Sequence, residues 1–177
     1  MIRKHIPVFS RMMLIVCLLA TSPVSPVFAE TQAISAAAEN FIQAFEKQAG
    51  KRCQLLTSRC GKEKFHIINQ GAGESNDQKQ VWREMQLNGL QVVAIYPETK
   101  PASYYFAKIT VSRADWPLPP GLRVGSASKD IAKKLGPASS IDASGCQIYF
   151  SEGMQTSVSF CSANTRISSV IWETFVD

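Results

Sequence analysis

Residues 81–96, VWREMQL-NG-LQVVAIY, contain the strongest local fold signal in the chain. The dipeptide Asn88-Gly89 lies between two runs that are rich in aliphatic and aromatic side chains. Asn-Gly in this setting is the favoured two-residue turn of a β-hairpin. The pattern therefore predicts that residues 81–87 and residues 90–96 are neighbouring antiparallel strands.

Other strand signals flank this hairpin on both sides. Strands are also predicted at residues 64–68, 103–111, 146–151, 156–161 and 166–175. Residues 71–77 (GAGESND) are polar and rich in glycine, which predicts a turn or a mobile loop. Residues 114–120 (ADWPLPP) predict an extended and stiff crossover, because proline restricts the backbone.

Two helices are predicted, one before the strands and one between them. Residues 31–49 place apolar side chains on one face at helical spacing, and Gly50 and Lys51 fit the helix end. A second helix is predicted to begin near Ser126-Ala127-Ser128 and to stop at Gly136-Pro137.

The order of these elements indicates the fold class. Helix, strands, helix and strands in succession predict an α+β fold, in which an antiparallel sheet has two helices packed on one face. One such domain is expected over residues 30–177. The same order is compatible with two similar α-β halves, residues 30–112 and 113–177.

The first 29 residues have the composition of a secretory signal peptide. Basic residues precede a short apolar run at residues 12–20 (MMLIVCLLA), and Val27-Phe28-Ala29 supplies the small residues that a signal peptidase recognises. Cleavage is predicted after Ala29, which places the remaining chain in the periplasm or outside the cell. The apolar run is shorter than the roughly 20 residues of a transmembrane helix. No later stretch is as apolar, so no transmembrane segment is predicted in residues 30–177.

Composition and charge exclude several classes of function. The 177 residues are 45% hydrophobic and 19% charged, which is ordinary for a globular protein and excludes disorder, collagen and coiled coil as the main structure. The first 29 residues hold three of the basic residues and none of the acidic ones, so the net charge falls from +5 to +2 without them. A charge this small does not indicate nucleic acid or an acidic membrane as a partner.

Four cysteines follow the predicted signal peptide, namely Cys53, Cys60, Cys146 and Cys161. An even number in an exported chain indicates two disulfides, and of the three pairings we favour the one with the shortest loops, Cys53–Cys60 and Cys146–Cys161. Zinc ligands usually come in pairs about two to four residues apart, whereas these pairs enclose six and fourteen residues. No metal is predicted. No cofactor is predicted either, because Gly71-Ala72-Gly73 lacks the rest of a dinucleotide fingerprint.

The last cysteine pair restricts the register of the hairpin that contains it. A two-residue turn at Gly153-Met154 places Cys146 opposite Cys161 and Ile148 opposite Ser159. A shift of one residue gives a better apolar face but puts the two cysteines on opposite faces. A β-bulge would satisfy both requirements, and the sequence leaves these alternatives open.

Candidate catalytic residues are few. Residues 126–129 (SASK) match the S-x-x-K motif of penicillin-binding enzymes, but K-T-G and S-D-N are absent. His66 is the only histidine after the predicted signal peptide, so no Ser-His-Asp triad can be built without it. The acidic residues are scattered without a recognisable site spacing. We therefore predict that the protein is not an enzyme and name no catalytic residue.

Aromatic residues supply the candidate sites for a partner. Tyr104-Tyr105-Phe106 places aromatic side chains on both faces of one strand, and the side that faces outward provides an amphipathic contact surface. Trp116 lies in the proline-rich crossover, where it either covers the sheet or belongs to a polyproline ligand. The predicted partner-binding residues are Tyr104, Tyr105, Trp116 and Arg123.

Residues 121–125 (GLRVG), a short helix ending in Leu135-Gly136-Pro137 and three strands succeed one another over residues 121–175. This succession resembles a module of exported bacterial proteins that occurs in the BamE-like (SmpA/OmlA) envelope lipoproteins and in β-lactamase-inhibitor-like folds. The resemblance implies a non-catalytic domain that binds proteins. The chain departs from the lipoproteins because Cys17 follows Val16 and precedes further apolar residues, which is not the pattern of a lipidation cysteine.

These features predict an exported, disulfide-containing, non-catalytic protein-binding module, of the inhibitor or immunity type or an accessory of envelope assembly. Its partner is predicted to be another exported or envelope protein, bound through the sheet face or through residues 114–125. Two alternatives are a small envelope hydrolase that uses Ser126 and Lys129 or carboxylates, and a carrier of a small apolar ligand between helices and sheet.

Overall fold

The computed structural model describes residues 35–75, 78–116, 118–119, 121–153 and 155–175. The predicted signal peptide and its cleavage after Ala29 lie outside these residues. The helices are α1 (Ala36–Arg52) and α2 (Lys129–Leu135), and short 3-10 helices span Leu55–Thr57 and Pro101–Ser103. In the described part of the chain, no helix combines the length and the apolar character needed to cross a membrane.

Strands make up more of the described chain than helices do. In chain order they are β1 (Cys53–Gln54), β2 (Arg59–Cys60), β3 (Glu63–Lys64), β4 (His66–Ser75), β5 (Gln78–Leu87), β6 (Leu90–Pro97), β7 (Tyr105–Val111), β8 (Ser140–Ile141), β9 (Gln147–Phe150), β10 (Thr156–Ala163) and β11 (Arg166–Thr174). β1, β2 and β3 form a small antiparallel sheet after α1. The other strands form one large antiparallel sheet in the order β4-β5-β6-β7-β11-β10-β9-β8. The predicted α+β class is therefore confirmed.

The large sheet consists of two meanders that meet at its centre. β4 to β7 follow one another side by side, and so do β8 to β11. β7 pairs with β11, with Val111 opposite Val170, so the last strand of each meander lies in the middle of the sheet. The first strand of each meander, β4 or β8, forms an edge.

The two faces of this sheet differ in burial. In the β5–β6 hairpin, Leu87 pairs with Leu90 as the Asn88-Gly89 turn predicts, and Gly89 has a φ of 72°. Side chains along β6 alternate between buried and half-exposed. We call the buried side, which includes Val92, the inner face and the half-exposed side the outer face.

The buried face of α1 is as predicted, but its bounds are not. The helix begins at Ala36, and residues 31–34 of the predicted helix lie outside the described residues. The Ser35 hydroxyl accepts a hydrogen bond from the Ala38 amide at 3.2 Å and so caps the helix. The predicted apolar residues within the helix are buried, namely Ala38, Phe41, Ile42 and Phe45. The predicted end at Gly50 is wrong, because the helix continues and the Cys53 amide donates to the Ala49 carbonyl. Gly50 is exposed, and its cost in helix propensity is only about 1 kcal/mol. Ala49 and Cys53, which precede and follow it on the buried side of the helix, both stay in the core.

The end of α2 follows the predicted pattern. Gly136 has a φ of 83°, and its amide donates to the Ala132 carbonyl. Glycine adopts this backbone conformation without the strain that a Cβ atom would cause. Ile131 and Leu135 are buried. The Ser35 hydroxyl donates to the Leu135 carbonyl, which connects the start of α1 to the end of α2.

β4 overturns the prediction of a turn or mobile loop at residues 71–77. The strand continues to Ser75 and pairs along its length with β5, which begins at Gln78, while residues 76 and 77 lie outside the described part. The prediction failed because this segment has little apolar character of its own and is held by main-chain pairing. Gly71 lies opposite Trp82, whose indole ring occupies the space that a side chain at position 71 would need.

Both predicted disulfides are present. Cys53–Cys60 closes the turn that follows α1, between β1 and β2. Cys146–Cys161 joins the residue before β9 to β10. Two disulfides fit a protein of an oxidising compartment, such as the periplasm or the extracellular space.

The β9–β10 register is the one that the second disulfide requires. Ile148 lies opposite Ser159, so the shifted register is wrong. The core contact comes from Tyr149 instead, whose ring lies 5.9 Å from that of Phe160 in an edge-on arrangement. A β-bulge does occur next to Cys161, but between β10 and β11, where it changes the pairing with the last strand.

Candidate functional site

Large apolar side chains form a row across the outer face of the sheet. Trp82 of β5 lies opposite Ile95 of β6, and Ile95 lies opposite Tyr105 of β7. Val93, two residues before Ile95 on the same face, extends the row, and all four side chains are half-buried. The Tyr105 hydroxyl donates to Gln80 at 3.2 Å, which orients its ring. We call Trp82, Val93, Ile95 and Tyr105 the outer patch.

Polar and charged side chains border the outer patch. Lys108 lies opposite Val93 and forms an ion pair with Glu173 at 2.5 Å. Glu84 lies opposite Val93 on the other side and accepts a hydrogen bond from Gln91. An apolar centre with a polar and accessible rim is the usual arrangement of a protein–protein interface.

Gly71 positions Trp82 at the end of the outer patch. A Cβ atom at Gly71 would lie 2.7–2.8 Å from the indole ring, closer than real Cβ atoms approach. We expect Gly71→Ala to displace Trp82 and to lower the free energy of unfolding by about 1–3 kcal/mol, measured by urea denaturation of residues 30–177. Gly73→Ala is the matched control, because no atom lies within 4 Å of its Cβ position. Equal losses in the two variants would contradict this role of Gly71.

The two predicted tyrosines line one groove but make different ring contacts. Tyr105 belongs to the outer patch, whereas the ring of Tyr104 lies 5.8 Å from Tyr96 and 6.3 Å from Phe106, both of which are buried. Burial raises the pKa of Tyr96, and the Arg83 guanidinium, 4.8 Å above the same ring, acts in the opposite direction. A groove of about 540 Å³ separates this segment from α1, lined by Gln43, Glu46, Lys47, Gly50, Ala102, Tyr104, Tyr105 and Phe106.

Trp116 and Arg123 lie together in a second region, the crossover after β7. Trp116 is only 5% exposed, and the Arg52 guanidinium lies 4.9 Å above its ring. Trp116 lines two clefts of about 290 and 260 Å³, and the exposed Arg123 lines the smaller one. Most of the Trp116 side chain therefore packs against the core. Neither cleft contains Tyr104 or Tyr105, so the predicted partner-binding residues do not form one site.

An ion-pair network holds this crossover. Arg113 donates to both carboxylate oxygens of Asp115, at 2.7 Å from Nε and 2.6 Å from Nη2, and Nη2 lies 3.5 Å from Glu63. The hydrogen bond from Arg113 lowers the pKa of Asp115 and raises that of Arg113 itself. The guanidinium is thus already paired with carboxylates, which makes the adjoining cleft a poor site for an added anion.

Ser126, the first of the candidate catalytic residues, has a structural role in the turn before α2. The Ser126 hydroxyl accepts a hydrogen bond from the Arg123 amide at 3.2 Å and so closes a turn. Lys129 is exposed at the first turn of α2, and His66 is exposed on β4. Among the described residues, no three potential metal ligands come together. The absence of enzymatic activity stays a prediction.

Three residues of the outer patch, Trp82, Val93 and Ile95, escape the sequence analysis, although a signal for Trp82 and Ile95 exists. The Asn-Gly turn sets Leu87 opposite Leu90, and counting back along the hairpin places Trp82 opposite Ile95. Alternation along each strand then puts both side chains on one face.

Comparison with known proteins yields weak structural similarity. No protein-family model matches the chain, and no curated protein matches it. The solved structure of the uncharacterized protein yfeY from Escherichia coli aligns with a TM-score of 0.34 and 18% sequence identity, over 59% of this chain and 80% of that chain. A similarity of this size supports no conclusion about fold or function.

Proposed function

We propose that this protein is an exported, non-catalytic binding module that recognises another exported or envelope protein through the outer patch. The observation that carries the proposal is the half-exposed row of Trp82, Ile95 and Tyr105 with its polar border. Tryptophan and tyrosine are enriched among the residues that dominate the binding energy of protein interfaces. An apolar surface of this kind on a soluble domain is typical of a contact site.

The proposal requires that both helices cover the inner face and leave the outer face free. The ring of Phe41 in α1 lies 5.3 Å from that of Phe160, an inner-face residue of β10. Ile131 and Leu135 of α2 belong to the same buried cluster as the inner-face side chains, and the outer patch contributes no residue to that cluster. These contacts support a placement of both helices opposite the outer patch.

Export is the second part of the proposal. The predicted signal peptide and the two disulfides support a periplasmic or secreted protein. The resemblance of residues 121–175 to BamE-like and β-lactamase-inhibitor-like modules implies the same class of non-catalytic, protein-binding domain. The identity of the partner will decide between an inhibitor or immunity protein and an accessory of envelope assembly.

A crosslinking pull-down with a matched pair of variants tests the proposal. Oxidised residues 30–177 would be incubated with envelope and culture-fluid extracts, and captured proteins quantified by mass spectrometry. We expect Ile95→Ala to weaken capture of the partner by about tenfold or more, because it removes the centre of the outer patch. Ile171→Ala is the control, since Ile171 is also a half-buried isoleucine of the outer face but lies on β11, outside the outer patch. Capture that survives Ile95→Ala, or that falls equally in both variants, would contradict the proposal.

The groove between α1 and the start of β7 favours a second candidate function, the binding of a small ligand. Its volume of about 540 Å³ is within the range of small-molecule sites, and its lining combines the polar residues Gln43, Glu46 and Lys47 of α1 with aromatic residues at the start of β7. Native mass spectrometry of gently purified residues 30–177 tests this reading. A bound species that is lost on Tyr104→Ala would support it, and a ligand-free mass would count against it.

A further inference from the structure

We propose that two copies of this chain pair through β4, edge to edge and antiparallel, so that their large sheets join into one. The proposed contact covers residues 69–75 of each copy and places Ala72 opposite Ala72 of the second copy. It does not depend on the function proposed for the outer patch.

Beyond the β-bulge near Ile67, the free edge of β4 carries few of the features that usually prevent strand pairing. Its sequence, HIINQGAGES, contains no lysine, arginine or proline, and residues 66–70 and 72–74 are exposed. Among the described strands, β4 pairs with β5 on one side only and ends the sheet. An edge of this length with unpaired main-chain N–H and C=O groups is a template for another strand. The opposite edge, β8, has only two residues, Ser140–Ile141, and is too short to serve in the same way.

The faces of the strand limit the register. A β-bulge lies between Ile67 and Asn69, so regular alternation of side chains holds only from Asn69 to Ser75. In a symmetric antiparallel pair, residues directly opposite each other must point to the same face of the joined sheet. Centring the pair on Ala72 meets this condition over all seven residues of that segment.

Gly71 and Gly73 distinguish this register from the other symmetric antiparallel registers. Trp82 lies over Gly71 of the edge strand on the outer face, so we expect the residue of the second copy that faces Gly71 to need a small side chain. Centring on Ala72 puts Gly73 of the second copy at that position. Centring on Gln70 would put Asn69 there, and centring on Gly71 would bring the two Trp82 rings together.

Gly73 has no evident purpose within its own chain. Apart from its two neighbours in sequence, no described residue has an atom within 4 Å of its Cβ position, and its φ is not in the left-handed region. Glycine inside a strand weakens the strand unless another group needs the space. The paired arrangement supplies such a group, because the Trp82 ring of the second copy reaches the position above Gly73.

The proposed pairing gives a closed dimer rather than an open chain of copies. The contact is the same on both copies, so it forms a two-fold dimer and leaves only the short β8 edges free. The side chain of Gln70 lies opposite that of Glu74 of the second copy, which allows an amide–carboxylate hydrogen bond on each side of the axis.

Sedimentation equilibrium of residues 30–177 from about 1 μM to about 1 mM tests the proposal. We expect a reversible monomer–dimer equilibrium. Gly73→Val should raise the dissociation constant about tenfold to a hundredfold, because its side chain would meet the Trp82 ring of the second copy. Gln86→Val is the matched control, since Gln86 is exposed on β5 and outside the pairing segment, and it should leave the dissociation constant unchanged. A monomer at every concentration, or a dimer that is insensitive to Gly73→Val, would overturn the proposal.

Thermal unfolding followed by circular dichroism separates loss of pairing from loss of folding. At concentrations where the wild-type chain is monomeric, Gly73→Val should unfold at the same temperature or a higher one, because valine favours a strand and its position is open. A lower unfolding temperature in the dilute monomer would mean that the side chain at position 73 disturbs the chain itself, and the explanation of Gly73 by pairing would fail.

Discussion

Replacing Phe160 with alanine is expected to lower the free energy of unfolding by about 3–5 kcal/mol, the largest effect that we predict for a single substitution. Phe160 is fully buried, with its ring 5.3 Å from Phe41 and 5.9 Å from Tyr149. Its main chain pairs on both sides, opposite Gln147 and Val170, so the strand cannot move inward to fill the cavity. Urea denaturation of residues 30–177, followed by circular dichroism, measures the loss.

Phe150→Ala is the matched control for this prediction. Phe150 lies on the neighbouring strand β9 but faces outward, opposite Ser157, and is half-buried. Its truncation removes apolar area that is already partly hydrated and opens no closed cavity, so the loss should be clearly smaller. Equal losses for the two phenylalanines would show that the outer face is packed as tightly as the inner face. The assignment of a free outer face would then be wrong.

Strands and helix ends that depend on local signals can be predicted from this sequence. Gly89 adopts the positive φ that the β5–β6 turn requires, whereas Asn88 does not, and the register of both strands follows from the position of this turn. Gly136 ends α2 for a similarly local reason, since its φ of 83° is one that glycine adopts without strain. In both places the residues that carry the signal are also the residues that form the structure.

Features that depend on distant residues cannot be predicted in this way. The sequence of residues 71–75 is typical of a loop. These residues nevertheless form the second half of β4, because β5 pairs with them and Trp82 covers Gly71. The register of β9 is a related case. Its local apolar pattern favours Ile148 and Phe150 as core residues, whereas the Cys146–Cys161 disulfide selects the register in which Tyr149 is buried.

The candidate site also combines features that local sequence signals predict with features that depend on distant residues. Tyr105 can be recognised from sequence as an aromatic residue on a strand, but which face it occupies depends on the β-bulge between β6 and β7. Trp82 and Ile95 become a surface only when three strands are aligned side by side. Trp116 is of a residue type that is common at interfaces, but in the structure Arg52, at the end of α1, lies over its ring. No local sequence pattern predicts that contact.

Replacing Cys146 and Cys161 together with alanine is expected to lower the free energy of unfolding by about 3 kcal/mol. The bridge spans 15 residues of sequence, and its main effect is to restrict the unfolded chain. The same change at Cys53 and Cys60, which are 7 residues apart, should cost about 2 kcal/mol on this account. Urea denaturation of both double variants, beside the oxidised wild-type chain, gives the comparison. A larger loss for the Cys53–Cys60 variant, which has the shorter loop, would contradict the entropic account. Packing around Cys53, which is only 1% exposed, would then dominate the contribution of that disulfide to stability.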